Sequence, residues 1–214
     1  MPKTSDQTTV YITRHGSSEH NLREDVFMGR WPESRLTPRG QEEAALIGRR
    51  LATGGIQQVI ASSLPRTMET AQIIAREIGA VQTGNPPIHP EDAFWELSKG
   101  DWEGRMPKPM PKDVKAAEAA DPFGFRYGKG GERYADVVAR VGPAFDGWVS
   151  RFAGQCVLFV LHGDVIRALL YHLIRFPQER IGNFQTDPCA LSQFVIRPGQ
   201  TLLVTLNDAS HLVR

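Results

Sequence analysis

An α/β fold is what the sequence predicts: a three-layer α/β/α sandwich with a mainly parallel central sheet and an inserted lid region. Two observations point to it. Short β-branched and aromatic runs alternate with longer segments of helical periodicity, the pattern of βαβ units whose sheet is covered on both faces. One long interval, from about residue 85 to 131, breaks that alternation with Pro, Gly and Lys ("MPKPMPKD", "FRYGKGGE"). A stretch this long is usually a functional insertion, so one domain over residues 1–214 with a lid or specificity insertion is expected; a linker to a second domain is the plainer alternative.

The elements follow in order. "TTVYIT", from Thr8 to Thr13, reads as a buried strand. In "LTPRGQEEAALIGRRLATGG", Thr37 suits an N-cap, Pro38 the first helical position and Gly54-Gly55 the end, with Ala44, Leu46, Ile47 and Leu51 as the apolar stripe. "QQVIAS" reads as a strand and "LPRTMETAQIIAREIG" as a helix stopped at Gly79. Past the insertion, "GERYADVVARVGPAFDGWVSRFA" returns as a helix, "CVLFVLH" is the strongest strand, and "GDVIRALLYHLI" is the helix after it. "ALSQFVIRPGQTLLVTLN" gives two strands joined at an Arg-Pro-Gly turn, an edge that could pair between subunits, which keeps a homodimer among the expected arrangements.

Composition narrows the class. Of 214 residues, 41% are hydrophobic and 23% charged, and the formal net charge is +1, so neither nucleic acid nor an anionic membrane is an expected partner. Two cysteines, Cys156 and Cys189, make no disulfide framework and suit a cytoplasmic setting. The N-terminal segment shows no secretory h-region, and no apolar run approaches the ~18 residues of a membrane span.

Ligands of open parallel sheets bind at the carboxyl ends of strands. Three of the expected strands end in notable residues: Arg14-His15-Gly16; Ser62 and Ser63 with Arg66 just beyond; and His162-Gly163. Two histidines and two arginines thus share one edge, and helix N-termini, which favour anions, begin beside two of them. Because the guanidinium fork donates two parallel hydrogen bonds, this grouping suits a phosphoryl group. Taken singly, each histidine could be structural and Arg66 a surface ion-pair residue. A zinc site from His15, His20 and His162 would leave both arginines unexplained, and no Walker A, Gly-x-Ser-x-Gly or Gly-x-Gly-x-x-Gly motif is present.

Arg14-His15-Gly16, with Asn21 six residues past His15, resembles the signature of the histidine phosphatase superfamily, also called the phosphoglycerate mutase-like family. "MGRWPESRLTPRGQEEA", "ASSLPRTMETA", "ELSKGDWEG", "GGERYADVVARV" and "LHGDVIRALL" are similar to its later segments, in order, along nearly the whole chain. The resemblance implies that His15 is the nucleophile and that Arg14, Arg66 and His162 hold the phosphoryl oxygens. It further implies that Ser18, Asn21 and Gly163 bind phosphate, and that Glu96 is the general acid and base. On residues alone Glu96 could equally be a surface carboxylate, with Asp101 and Glu103 as rivals. No metal and no cofactor are expected, and the partner is a small phosphomonoester.

Three positions depart from the family pattern. Glu33 stands where Asp is common, and Asp164 follows His162-Gly163, where it could raise the basicity of His162 or repel a second anion. Ser98, two residues after Glu96, stands where mutases carry tyrosine. With a short spacing from Glu96 to His162, this favours a metal-independent phosphatase for a sugar phosphate or phosphoglycerate derivative. A phosphoglycerate mutase is the runner-up and a non-catalytic phosphate-binding module the third reading. Around the site, Arg30, Trp31 and Arg35 in the first loop, and Lys99, Lys108, Lys112, Arg126, Tyr127 and Lys129 in the insertion, are candidates to touch the rest of the substrate. Phe94 and Trp95 could stack on it or simply pack.

Overall fold

The computed structural model describes residues 7–23, 25, 27–105 and 110–212. In chain order the elements are strand β1 (Thr8–Arg14), helices α1 (Glu19–Leu22) and α2 (Pro38–Leu51), strand β2 (Gln58–Ser62), helix α3 (Pro65–Gly79) and strand β3 (Ile88–Glu91). Then come helices α4 (Lys112–Ala120) and α5 (Tyr134–Arg151), strand β4 (Cys156–Leu161), helix α6 (Gly163–Ile174) and strands β5 (Leu191–Arg197) and β6 (Gln200–Asp208). Among the described residues the strands form one sheet in the order β3-β2-β4-β1-β5-β6. The contacts β2–β3, β2–β4 and β1–β4 are parallel, while β5 and β6 add an antiparallel edge.

Side chains alternate across this sheet and so build two cores. Val157, Phe159 and Leu161 of β4, with Val10 and Ile12 of β1, pack among residues of α5 and α6. Cys156, Leu158 and Val160 face the other way, among residues of α2 and α3. Every residue of β4 is buried, as expected of a parallel strand covered on both faces. The α/β/α layering expected from the sequence is therefore present. Thr37 caps α2 by accepting from the Gly40 amide, and Pro38 follows at the first helical position.

The interval 85–131 is more regular than its composition suggests. Ile88–Glu91 is an edge strand of the main sheet, paired in parallel with β2, and Lys112–Ala120 is helical. Both were hidden by their neighbours: Pro90 sits within β3, tolerated because it lies on an edge strand, and α4 has no buried residue to mark a stripe. Phe94, a candidate for stacking on substrate, is instead fully buried edge-on against Phe159, 5.8 Å between ring centroids.

Candidate active site

The three strands that end in candidate residues, β2, β4 and β1, are adjacent in the middle of the sheet. Because β1 and β4 run parallel with Arg14 opposite Leu161, the residues that follow them emerge side by side. The His15 amide donates to the Leu161 carbonyl at 2.9 Å. The His15 and His162 rings then meet edge to face, 5.2 Å between centroids. On the other side of β4, Ser62 at the end of β2 reaches His162 Nε2 at 2.9 Å, and Arg66 enters fully buried from the first turn of α3.

Glycine makes the turn after His15 feasible. A Cβ on Gly16 would lie 2.4 Å from the Gly40 carbonyl oxygen, and one on Gly40 only 1.9 Å from that of Ser17. The loop and the first turn of α2 are therefore in backbone contact. Glu43 of α2 accepts from both the Ser17 amide (2.7 Å) and its hydroxyl (3.0 Å), which fixes the loop further.

Hydrogen bonding sets the tautomer of each histidine. His15 Nδ1 lies 2.8 Å from the Gly16 carbonyl, an acceptor only, so Nδ1 carries the proton and Nε2 the lone pair. Ser62 Oγ accepts from the Leu64 amide at 3.4 Å and meets His162 Nε2 at 2.9 Å; when the hydroxyl donates to Nε2, His162 Nδ1 is an N–H donor. Burial pushes both imidazoles well below the ordinary histidine value, and the Arg66 and Arg14 guanidiniums push in the same direction. Both rings are neutral at physiological pH. Arg66, lowered to about 10 by burial, remains a cation.

Several donors here lack partners. Arg14 Nε, Arg66 Nε, His162 Nδ1 and Thr186 Oγ1 are buried polar atoms without a hydrogen bond, although such groups are normally satisfied. A Cβ on Gly163 would fall 3.1 Å from Thr186 Oγ1 and 3.7 Å from Arg14 Nε, so Gly163 keeps that corner open. Arg14 is steered by a bond to the Thr186 carbonyl (2.8 Å), and Arg66 by bonds to those of Trp31 (3.1 Å) and Gly29 (3.2 Å). An oxyanion with several acceptor oxygens is the group that would satisfy this set.

A cavity of about 580 Å³ has Arg14, Gly163 and Thr186 on its wall and Glu96 and Asp164 beside them, while His15, Arg66 and His162 lie behind that lining. Glu96 is buried, its Oε1 accepting from the Leu97 amide at 2.8 Å. Burial and the adjacent Asp164 carboxylate raise its pKa, against the smaller influence of Arg66 and Lys99. Its rivals do structural work: Glu103 accepts from the Lys99 amide and Ser98 hydroxyl, and Asp101 from the Lys129 amide. Asp164 does not act as its position next to His162-Gly163 suggests. Burial opposes its ionisation, but Lys99 and Arg167, together with the Tyr134 hydroxyl at 2.5 Å, hold it well below the carboxylate range. His162 is lowered rather than raised, and Asp164 bears on Glu96 instead.

The remaining candidates divide. Ser18 and Asn21 close on each other, the Ser18 amide and hydroxyl both donating to Asn21 Oδ1 at 2.9 Å, and neither lines the cavity. Arg30 braces the acid loop, bonding the Glu96 carbonyl at 2.9 Å and pairing with Glu132. Lys99 and Tyr127 do line the cavity, the ammonium 3.4 Å above the phenol ring. Arg126 pairs with Asp136 and the Gly131 carbonyl away from it, and Trp95 donates to Ser63. Trp31 is partly exposed on a separate cleft shared with His20 and Met28. Lys108 lies outside the described residues. Tyr134, Arg167 and Thr186 escaped the sequence reading. Arg167 had one signal, its place one helical turn after Asp164, where the two ion-pair at 2.8 Å.

Comparison with known proteins bears on the family and the fold. A 2,3-bisphosphoglycerate-dependent phosphoglycerate mutase of Methylobacterium radiotolerans is 33% identical over 209 residues, covering 92% of this chain and 89% of that protein. Among solved structures, YhfR of Bacillus stearothermophilus is 27% identical with a TM-score of 0.80, covering 96% of this chain and all of that one. A phosphoserine phosphatase of Entamoeba histolytica, at 22% identity and a TM-score of 0.82 over 96% of this chain and all of that one, shares the fold. The model of the histidine phosphatase superfamily (branch 1) matches residues 10–209; with that match spanning nearly the whole chain, the protein belongs to this superfamily.

Proposed function

We propose that this enzyme hydrolyses a small phosphomonoester, a sugar phosphate or phosphoglycerate derivative, through a phosphohistidine on Nε2 of His15. The observation that carries the reading is the bond from His15 Nδ1 to the Gly16 carbonyl, which leaves the Nε2 lone pair on a neutral ring. Nε2 attacks phosphorus, the ester P–O bond breaks, and Glu96 gives its proton to the leaving oxygen. Water then attacks the phosphohistidine, Glu96 takes one of its protons, and the P–N bond breaks to return His15 and release phosphate. Arg14, Arg66, His162 Nδ1 and the Gly163 corner would hold the phosphoryl oxygens as charge builds on them.

Hydrolysis is favoured over transfer to a second substrate because Ser98 does not wall off the site. Its amide donates to Glu132 and its hydroxyl to Glu103, so that position is turned into its loop, away from the cavity. A mutase is the second reading, favoured by the name of the 33%-identical relative. Phosphate release from a panel of phosphomonoesters, repeated with 3-phosphoglycerate as acceptor, separates the two. Net phosphate release unaffected by the acceptor supports the phosphatase; capture of the phosphoryl group by the acceptor overturns it.

A further inference from the structure

Glu96 must hold a proton near neutral pH to act as an acid, yet Arg14 and Arg66 both stand close enough to favour its ionised form. Something must oppose them. Asp164 lines the same cavity, its backbone amide 3.5 Å from Glu96 Oε2. The Asp164 carboxylate is held by Tyr134 Oη of α5 at 2.5 Å, Arg167 of α6 at 2.8 Å and Lys99 of the acid loop at 3.5 Å. We propose that Asp164, clamped by Tyr134, Arg167 and Lys99, is a positioning residue that sets a fixed negative charge against Glu96 and so keeps it in its acid form.

The other charged groups facing Glu96 oppose its acid form, which leaves Asp164 as their counterweight. Arg14 comes from β1, Arg66 from α3 and Lys99 from the same loop, all cationic; Arg30 and Arg140 are spent on its backbone carbonyl, the latter at 3.3 Å. Asp164 is the carboxylate that weighs on Glu96, and after burial it is the largest influence raising its proton affinity. Tyr134, Arg167 and Lys99 hold the Asp164 charge in place. Glu96 Oε1 accepts from the Leu97 amide at 2.8 Å and Oε2 from the Asp164 amide at 3.5 Å, so Oε2, with the longer and weaker bond, is the oxygen freer to carry the transferable proton. This inference rests on the acid role of Glu96 proposed above.

The test compares pH profiles of kcat/KM for β-glycerophosphate, whose alkoxide needs a proton, and p-nitrophenyl phosphate, whose leaving group does not. Asp164→Asn should move the alkaline limb for β-glycerophosphate down by about one pH unit, while the p-nitrophenyl phosphate limb stays in place. If Asp164→Asn fails to fold, Asp164→Ser, which also removes the charge, decides: the same downward shift is expected, and an unmoved limb overturns the inference. A purely structural Asp164 would lower both profiles equally without moving either limb, which overturns the inference. Glu96→Gln distinguishes the two levels. If its loss is selective for β-glycerophosphate but the limbs do not move in the other variants, only the inference on Asp164 fails. If its loss is equal on both esters, the acid role itself fails, and this inference with it.

Discussion

At the scale of the residue, His15 and Arg66 carry separable burdens. His15→Ala should abolish turnover by several orders of magnitude because it removes the covalent route. Rapid quenching of the native enzyme with labelled substrate should trap phosphate in an acid-labile, alkali-stable form, whereas an acid-stable phosphoserine would refute the assignment. Arg66→Lys keeps a charge but loses the planar fork that now reaches the Trp31 and Gly29 carbonyls and offers Nε toward the site. Its kcat should fall by about 10²-fold or more; near-normal kcat in steady-state assays would mean that phosphate binds elsewhere. Both residues were legible in the sequence because each closes a strand or opens a helix on one sheet edge. Tyr134 and Thr186 were not, since a tyrosine at a helix start and a threonine in a loop announce nothing until tertiary contacts bring them to the cavity; Arg167 offered only its place one turn after Asp164.

At the scale of the element, the loop after β1 and the start of α2 behave as one piece. Gly40→Ala would place a methyl 1.9 Å from the Ser17 carbonyl oxygen, with backbone on both sides and no flexible side chain to yield. The cost should approach about 3 kcal/mol, the upper end for overpacking, or roughly 6–12 °C in Tm for a chain this size. Calorimetry checks the stability, and kcat should drop with it because the displaced loop begins directly at His15; an unchanged Tm would show that the two backbones can separate. The helices α2 and α3 were readable from capping and an apolar stripe. β3 and α4 were not, one because Pro90 disguises an edge strand and the other because a helix with no buried residue carries no periodic signal.

At the scale of the whole molecule, the buried titratable groups make stability depend on pH in a definite direction. His15 and His162 have folded pKa values below the unfolded value near 6.5, so below that pH the unfolded chain binds up to two protons that the fold refuses. Stability is therefore lost as pH falls. Glu96, raised in the fold, works the other way above about pH 4.5, where the unfolded chain releases a proton that the fold retains. Between these two values the buried histidines and Glu96 act in opposite senses, each proton of difference being worth about 1.4 kcal/mol per pH unit. Glu96→Gln should steepen the loss of stability as pH falls from about 6 to 4.5, read in urea melts, and an unchanged slope would mean that Glu96 is ionised in the fold. Inorganic phosphate should raise the Tm by mass action if the unpartnered donors form its site. The sheet order has a further consequence, for how the protein is born. Thr8 receives a hydrogen bond from Gly154, 146 positions away; His162 meets Ser62 across 100; and Arg14 is steered by Thr186 across 172. A ribosome delivers β1 before the strands that flank it, so His15 waits without its partners until β4 and β5 have been made. A nascent chain of this protein has no partial catalyst to offer: activity arrives at once, when the strands around β1 have all emerged.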